Sequence, residues 1–159
     1  MIFITLGSQK FQFDRLLKKI DFLCEQGIIV ESIFAQIGYS NYKPKYFEYK
    51  DFLNRDEFAE TMEKADIVIT HGGTGAIIGA VKKGKRVIAV PRLKRYGEHV
   101  DDHQLQLIKQ FEAMNLICPC WDTEDLKKAY EEVRMTKYTP YVSNTKRIIK
   151  DIDEYIMKL

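Results

Sequence analysis

The sequence predicts an α/β domain, a mostly parallel sheet with helices on both faces. Two observations carry that expectation. Short apolar runs rich in β-branched residues alternate with amphipathic stretches, the pattern of strand–helix–strand crossovers, which are right-handed and leave their strands parallel. And Thr70-His71-Gly72-Gly73-Thr74-Gly75, set between the apolar Ala65-Asp66-Ile67-Val68-Ile69 and the helix-like Ala76-Ile77-Ile78-Gly79-Ala80-Val81, reads as strand, glycine loop, helix.

The opening Met1-Ile2-Phe3-Ile4-Thr5-Leu6 is apolar, stops at Gly7 and shows no basic leader or cleavage site, so it reads as a first strand and not a signal peptide. Phe13, Leu16, Leu17, Ile20, Leu23 and Cys24 then recur at helical spacing until Gly27, which closes the helix. Ile28 to Ile37 is the second strand, and a polar, tyrosine-rich connection from Tyr39 to Tyr46 leads to a short third strand at Phe47-Glu48-Tyr49. Asn54 to Lys64 reads as a helix, followed by the fourth strand and its glycine loop, with Thr74 as the N-cap of the next helix. Arg86-Val87-Ile88-Ala89-Val90 is a buried strand ended by Pro91. Leu105, Leu107, Ile108, Phe111 and Met114 mark another helix, and Leu116-Ile117-Cys118 the last strand. Asp122 caps a helix carrying Leu126, Ala129, Tyr130 and Val133. From Asn144 onward, Ile148, Ile149, Ile152, Tyr155, Ile156 and Leu159 form an apolar stripe on a C-terminal amphipathic helix over 144–159, which suits either packing on the domain itself or docking of a partner. The whole is Rossmann-like.

At 159 residues the chain is expected to be one domain, 1–159, long enough for a real core and too short for a second substrate-binding lobe. A net charge of +2 with both signs mixed gives no argument for nucleic acid. No run approaches the ~18 apolar residues of a membrane helix, and Cys24, Cys118 and Cys120 lack zinc-type or CxxC spacing, so reduced thiols and a cytoplasmic location are expected.

Ligands of parallel sheets bind beyond the carboxyl ends of the strands. Three loops stand there: Gly7-Ser8-Gln9-Lys10, His71 to Gly75, and Pro91-Arg92 through Glu98-His99. Glycines allow close backbone approach, and the free N–H groups at a helix start favour an anion, phosphate above all. A plain strand-to-helix turn is the simpler alternative, yet one glycine suffices for a turn and three do not follow from packing. No GxxxxGK[ST] exists, which excludes a P-loop, and the glycine after Gly73 and Gly75 comes at Gly79, one position late for a dinucleotide fingerprint, so a nicotinamide enzyme is not expected.

Together, Phe3-Ile4-Thr5-Leu6-Gly7-Ser8-Gln9, Ala65 through Gly75, and Val90-Pro91-Arg92 running to Glu98-His99-Val100-Asp101-Asp102-His103-Gln104 resemble the donor-binding, C-terminal half of the glycosyltransferase B fold. The resemblance covers nearly the whole chain. It is nearest to the small soluble subunit of bacterial two-component capsular and exopolysaccharide galactosyltransferases, and it extends to the peptidoglycan-precursor and dolichol-linked N-acetylglucosaminyltransferases. It implies a UDP-sugar donor, probed by Gly7, Ser8, Gln9, His71, Gly72, Gly73, Thr74, Gly75, Arg92, Glu98, His99, Asp102 and Gln104. It implies an inverting transfer with no metal or other cofactor, to a lipid-linked saccharide held by a membrane-associated acceptor-binding subunit that also brings this chain to the inner face of the membrane. It identifies no catalytic residue. A non-catalytic, UDP-sugar-holding activator of such a partner is the alternative, and an α/β scaffold without nucleotide a third.

The larger relatives carry an acid in the helix after the glycine loop, for the ribose hydroxyls; Ile77, Ile78 and Gly79 offer none. Either Glu98 or one of Asp101 and Asp102 replaces it, or nucleotide recognition is looser. Asp101 and Asp102 also stand at a helix start, where the dipole alone favours acids.

Overall fold

The computed structural model describes residues 1–142 and 145–158, and for 145–148 the backbone alone. Six parallel strands form one sheet: β1 (Ile2–Thr5), β2 (Ile33–Gln36), β3 (Glu48–Lys50), β4 (Ile67–His71), β5 (Arg86–Val90) and β6 (Cys118–Pro119), in the order β3-β2-β1-β4-β5-β6. The helices are α1 (Asp14–Glu25), α2 (Arg55–Lys64), α3 (Thr74–Lys82), α4 (Gln104–Ala113), α5 (Leu126–Met135) and α6 (Thr145–Met157). None of the described helices is long and apolar enough to cross a membrane.

Side chains of each central strand alternate between two cores. Ile2, Ile4, Ile67, Ile69, Ile88 and Val90 pack with α1 and α5. Phe3, Val68, Val87 and Ala89 pack on the opposite face with α2, α3, α4 and α6. The chain winds outward from β1 to β3, returns to lay β4 against β1, and winds outward again on the other side. The β1/β4 junction is therefore the point where strand order reverses, and the loops leaving its carboxyl end part to either side and open a crevice.

Several boundaries differ from the sequence expectation for local reasons. The second strand begins at Ile33 and not Ile28, because the amides of Ile28 and Ile29 close α1 by donating to the Leu23 carbonyl, at 3.0 and 3.2 Å. Gly27 makes that reversal with φ +69. The last strand begins at Cys118 because the Leu116 amide returns to Phe111 O, through Asn115 at φ 55. Asp122 accepts from the Glu124 amide and starts a 3₁₀ turn that runs into α5. Helix α2 is set by a reciprocal capping box between Asn54 and Glu57. The tyrosine-rich connection is tied to α1 by buried Asp21, which accepts from the Lys45 and Tyr46 amides and the Tyr42 hydroxyl.

The terminal helix spends part of its stripe on the domain. Ile152 is 1% exposed in the second core, and Ile156 packs at its edge, while Ile149 faces outward. Asn144 and Leu159, expected to bound the helix, lie outside the described residues, as does the side chain of Ile148.

Candidate functional site

At the β1/β4 junction Thr5 pairs with Thr70, and the Thr70 hydroxyl donates to Thr5 O at 2.9 Å, so the two loops leave the sheet side by side. Beyond them lies a cleft of about 450 Å³. One wall is Gly7 and Ser8 with Gly75, Ala76 and Gly79 of α3; the other is Arg55, Phe58 and Met62 of α2.

Because β4 runs on through His71, only Gly72 and Gly73 make the turn, and the helix starts at Thr74. Gly73 is thus the N-cap where Thr74 was expected, and no side chain caps this helix. The first amide of α3 to find a carbonyl is that of Ile77, which donates to Gly73 O at 3.1 Å. Those of Thr74, Gly75 and Ala76 have no protein acceptor among the described residues, and they carry the positive end of the helix dipole to the cleft.

Two of the three loop glycines do follow from packing, contrary to the sequence argument. A Cβ on Gly72 would lie 2.8 Å from Gln104 Cβ, so α4 passes too close for any side chain. A Cβ on Gly73 would meet the His71 ring, 2.9 Å from Nε2, and one on Gly7, itself at φ +74, would lie 2.8 Å from the same atom. The imidazole is sandwiched between the two loops, and the glycines make room for it. Gly75 and Gly79 are different: nothing lies within 4 Å of a Cβ at either. Gly75 is the loop glycine that leaves backbone open to a ligand.

Burial, with Arg92 and His99 adding in that order, pushes the His71 imidazole from its ordinary 6.5 down to about 3. It is neutral at physiological pH. The side-chain amide of Gln104 lies 3.3 Å from Nδ1; with Nδ1 accepting from it, the ring proton sits on Nε2, the atom that faces Gly7.

The third loop supplies braces. Gln104, buried at the start of α4, accepts from the amides of both Gly72 and Arg92 at 3.0 Å and so fastens the glycine loop to the end of β5. Arg92 is 1% exposed; its guanidinium donates to the carbonyls of Leu6, Phe11, Gln12 and Glu98 and stacks on Phe13 at 5.0 Å. Burial lowers its pKa to about 10, against the raising effect of Glu98, so it stays charged. Its charge is spent holding the loop that carries Gly7, Ser8 and Gln9, and does not face the cleft. Glu98, 0% exposed, takes the fork of Arg15 at 3.0 and 3.1 Å and the Leu93 amide, which removes it as a stand-in for the missing ribose acid. Exposed Asp102 accepts from the Lys94 amide at 2.8 Å and closes its own loop. His99 stacks on Phe11, away from the cleft lining. Gln9 is exposed, its carbonyl accepting from Phe11.

Of the residues singled out from sequence, Gly7, Ser8 and Gly75 line the cleft, with His71, Gly72, Gly73 and Thr74 directly behind or beside them. Sequence reasoning missed the α2 wall. Arg55, exposed in the first turn of α2 and without a protein partner among the described residues, brings a cation to it. The Asn54–Glu57 capping box fixes where that turn begins, but only the β2–α2 crossover brings it opposite α3. A wider hollow of about 910 Å³ between α1 and the β5 loop contains no glycine-loop residue.

Comparison with known proteins gives a consistent picture. Residues 1–156 match the glycosyltransferase family 28 C-terminal domain. The Homo sapiens UDP-N-acetylglucosamine transferase subunit ALG13 is 30% identical over 134 residues, 75% of this chain and 11% of that protein. The Mus musculus protein of the same name is 30% identical over 133 residues, 74% of this chain and 10% of that one. The chain thus spans about a tenth of the length of these curated relatives. Among solved structures, the NMR solution structure of ALG13 superposes with TM-score 0.66 at 17% identity, covering 95% of this chain and 94% of that one. The crystal structure of Acinetobacter baumannii MurG gives 0.58 at 19% identity, covering 84% and 41%. At these identities the structural likeness carries the fold.

Proposed function

Because the chain belongs to the glycosyltransferase family 28 C-terminal domain family, we propose that it is the donor-binding, catalytic subunit of a two-part UDP-sugar glycosyltransferase. In this reading it transfers the sugar to a lipid-linked saccharide presented by a membrane-associated partner, which also holds it at the cytoplasmic face of the membrane. The observation that carries the reading is the uncapped start of α3, whose Thr74, Gly75 and Ala76 amides open at the sheet's reversal point beside Gly7 and Ser8.

As the bond between the sugar and the diphosphate breaks, negative charge grows on the leaving oxygen. Amides fixed in advance at a helix start stabilise that charge without reorganising, and no metal or other cofactor is required of the chain for this step. Unpartnered Arg55 adds a positive field from the opposite wall. The neutral His71 ring serves as a brace between the two glycine loops; a group titrating near 3 is a poor general base for removing a hydroxyl proton. The described residues lining the cleft include no carboxylate or imidazole, so the base is assigned to the acceptor side, in the partner.

That same lack of a base favours, as second reading, a subunit that holds the nucleotide-sugar and activates a partner owning the catalysis. Galactose is the sugar implied by the resemblance to capsular and exopolysaccharide enzymes, whereas the curated relatives carry UDP-N-acetylglucosamine in their names. Both donors therefore enter the test. Transfer of radiolabel from each is measured with the partner present, for the intact chain and for Gly75→Asp. Transfer abolished by that change, with none from the partner alone at saturating donor, supports the enzyme reading; transfer from the partner alone favours the second, and transfer that the change leaves untouched removes both.

A further inference from the structure

The segment between the β5 loop and α4 gathers His99, Asp101 and His103 around one point, and none of the three lines the donor cleft. Both Nδ1 atoms lie against the same Asp101 carboxylate oxygen, at 3.1 Å for His99 and 2.5 Å for His103. One ligand atom from each residue falls within 4.8 Å of the other two. The cluster is preorganised from outside itself. His99 is 9% exposed, and its ring is stacked on Phe11 at 5.5 Å and 30° and packed edge-on against His103 at 5.1 Å.

Protons serve His103 and Asp101 as a hydrogen-bonded ion pair, but His99 Nδ1 faces two incompatible demands. The Asp101 amide approaches His99 Nδ1 at 3.4 Å, which asks for a lone pair there, while the Asp101 carboxylate approaches the same atom at 3.1 Å, which asks for a hydrogen. A neutral imidazole nitrogen offers one or the other. The same carboxylate oxygen also accepts from the His103 amide at 3.1 Å, which fixes its position between the two rings. A cation seated among two imidazole lone pairs and a carboxylate oxygen removes the conflict at His99 and gives all three groups a favourable bond.

We propose that His99, Asp101 and His103 bind a divalent transition-metal ion of the zinc type. Two nitrogens and one oxygen suit a borderline-soft ion over magnesium or calcium, which prefer all-oxygen shells. Ligand bonds of about 2.0–2.1 Å in tetrahedral array separate the ligand atoms by roughly 3.3 Å, near the 3.1 Å between His99 and Asp101; the hydrogen-bonded 2.5 Å pair of His103 and Asp101 opens by rotation of the exposed His103 side chain as the ion replaces its proton. Three protein ligands leave a fourth position to water or an anion. Bound there, the ion clamps the segment leading to Gln104, the brace of Gly72 and Arg92, and so stiffens the glycine loop from behind.

The test uses the full chain without an affinity tag, stripped with chelator and titrated with zinc chloride by calorimetry and with cobalt chloride by visible absorption. The variants are Asp101→Asn and His103→Ala, whose side chains are 54% and 39% exposed, so that the fold survives; circular dichroism checks this. Expected are one equivalent of metal per chain with micromolar or tighter Kd, cobalt bands of a low-coordinate nitrogen and oxygen site, and affinity weakened more than about tenfold in each variant. No saturable binding, unchanged affinity in either variant, or a cobalt–thiolate charge-transfer band placing the ion on the cysteines would overturn the assignment.

Discussion

Replacing Gly75 by aspartate should move stability and donor affinity in different directions. Gly75 is the second residue of α3, its φ is not positive, and nothing lies within 4 Å of a Cβ built on it, so the new side chain meets neither steric conflict nor backbone strain. Glycine is the weakest helix former apart from proline, and a carboxylate in the first turn gains about 0.3–1 kcal/mol from the helix dipole. Folding stability should therefore hold or rise by about 0.5–1 kcal/mol. The same carboxylate occupies the place proposed for the diphosphate. Two unit charges ~4 Å apart repel by about 4 kcal/mol at an effective dielectric of ~20, and the open cleft and salt reduce this to roughly 2 kcal/mol. That range is a loss of about 30-fold to 1000-fold in UDP affinity. Calorimetric titration with UDP reads the affinity and denaturant unfolding reads the stability. Gly75→Ala, which adds a methyl and no charge, should gain up to ~1 kcal/mol in stability while binding UDP nearly as the parent does. If the folded Gly75→Asp variant binds UDP within about threefold of the parent, the α3 amides do not hold the diphosphate, and the donor site lies elsewhere.

Two further outcomes follow from the geometry. The His71 pKa is depressed in the folded state, so the unfolded chain binds the extra proton between pH 6.5 and about 3: the stability conferred by the neutral ring is complete above 6.5 and is lost as pH falls through that window. Going from pH 7 to pH 5 should cost the parent about 2 kcal/mol more than it costs His71→Gln, read as denaturant midpoints at each pH; equal losses would show that His71 is not held neutral. Because Ile152 is packed in the second core, Ile152→Ala should destabilise the chain by about 2–4 kcal/mol in urea unfolding, whereas a stripe devoted to a partner would leave its stability unchanged.

Much of the site was legible from residue type and spacing, but the roles divided in a way that spacing does not show. Glycine loops at strand ends led to the expectation of an anion site; in the structure Gly7, Ser8 and Gly75 line a cleft at the β1/β4 junction. Gly72 and Gly73 carry the same signal for a different reason, since one yields to α4 and the other to the His71 ring. Arg92 read as a positive charge near the phosphates and Glu98 as a substitute for the missing ribose acid; the fold turns both inward, Arg92 onto the carbonyls of Leu6 and Gln12 and Glu98 onto Arg15. Arg55, which does border the cleft, carried no motif at all.

What the sequence determined by itself was the succession of strands and helices, because apolar periodicity is a local property of the chain and burial on both faces of a parallel sheet leaves its mark on each strand. What only the tertiary structure decided was which strands became neighbours and which way each polar side chain turned. Those depend on contacts between segments far apart in sequence: Thr5 beside Thr70, Gln104 bridging Gly72 and Arg92, and α2 facing α3 across the cleft. A charge can be read from one residue, but its direction is set by the packing of the others.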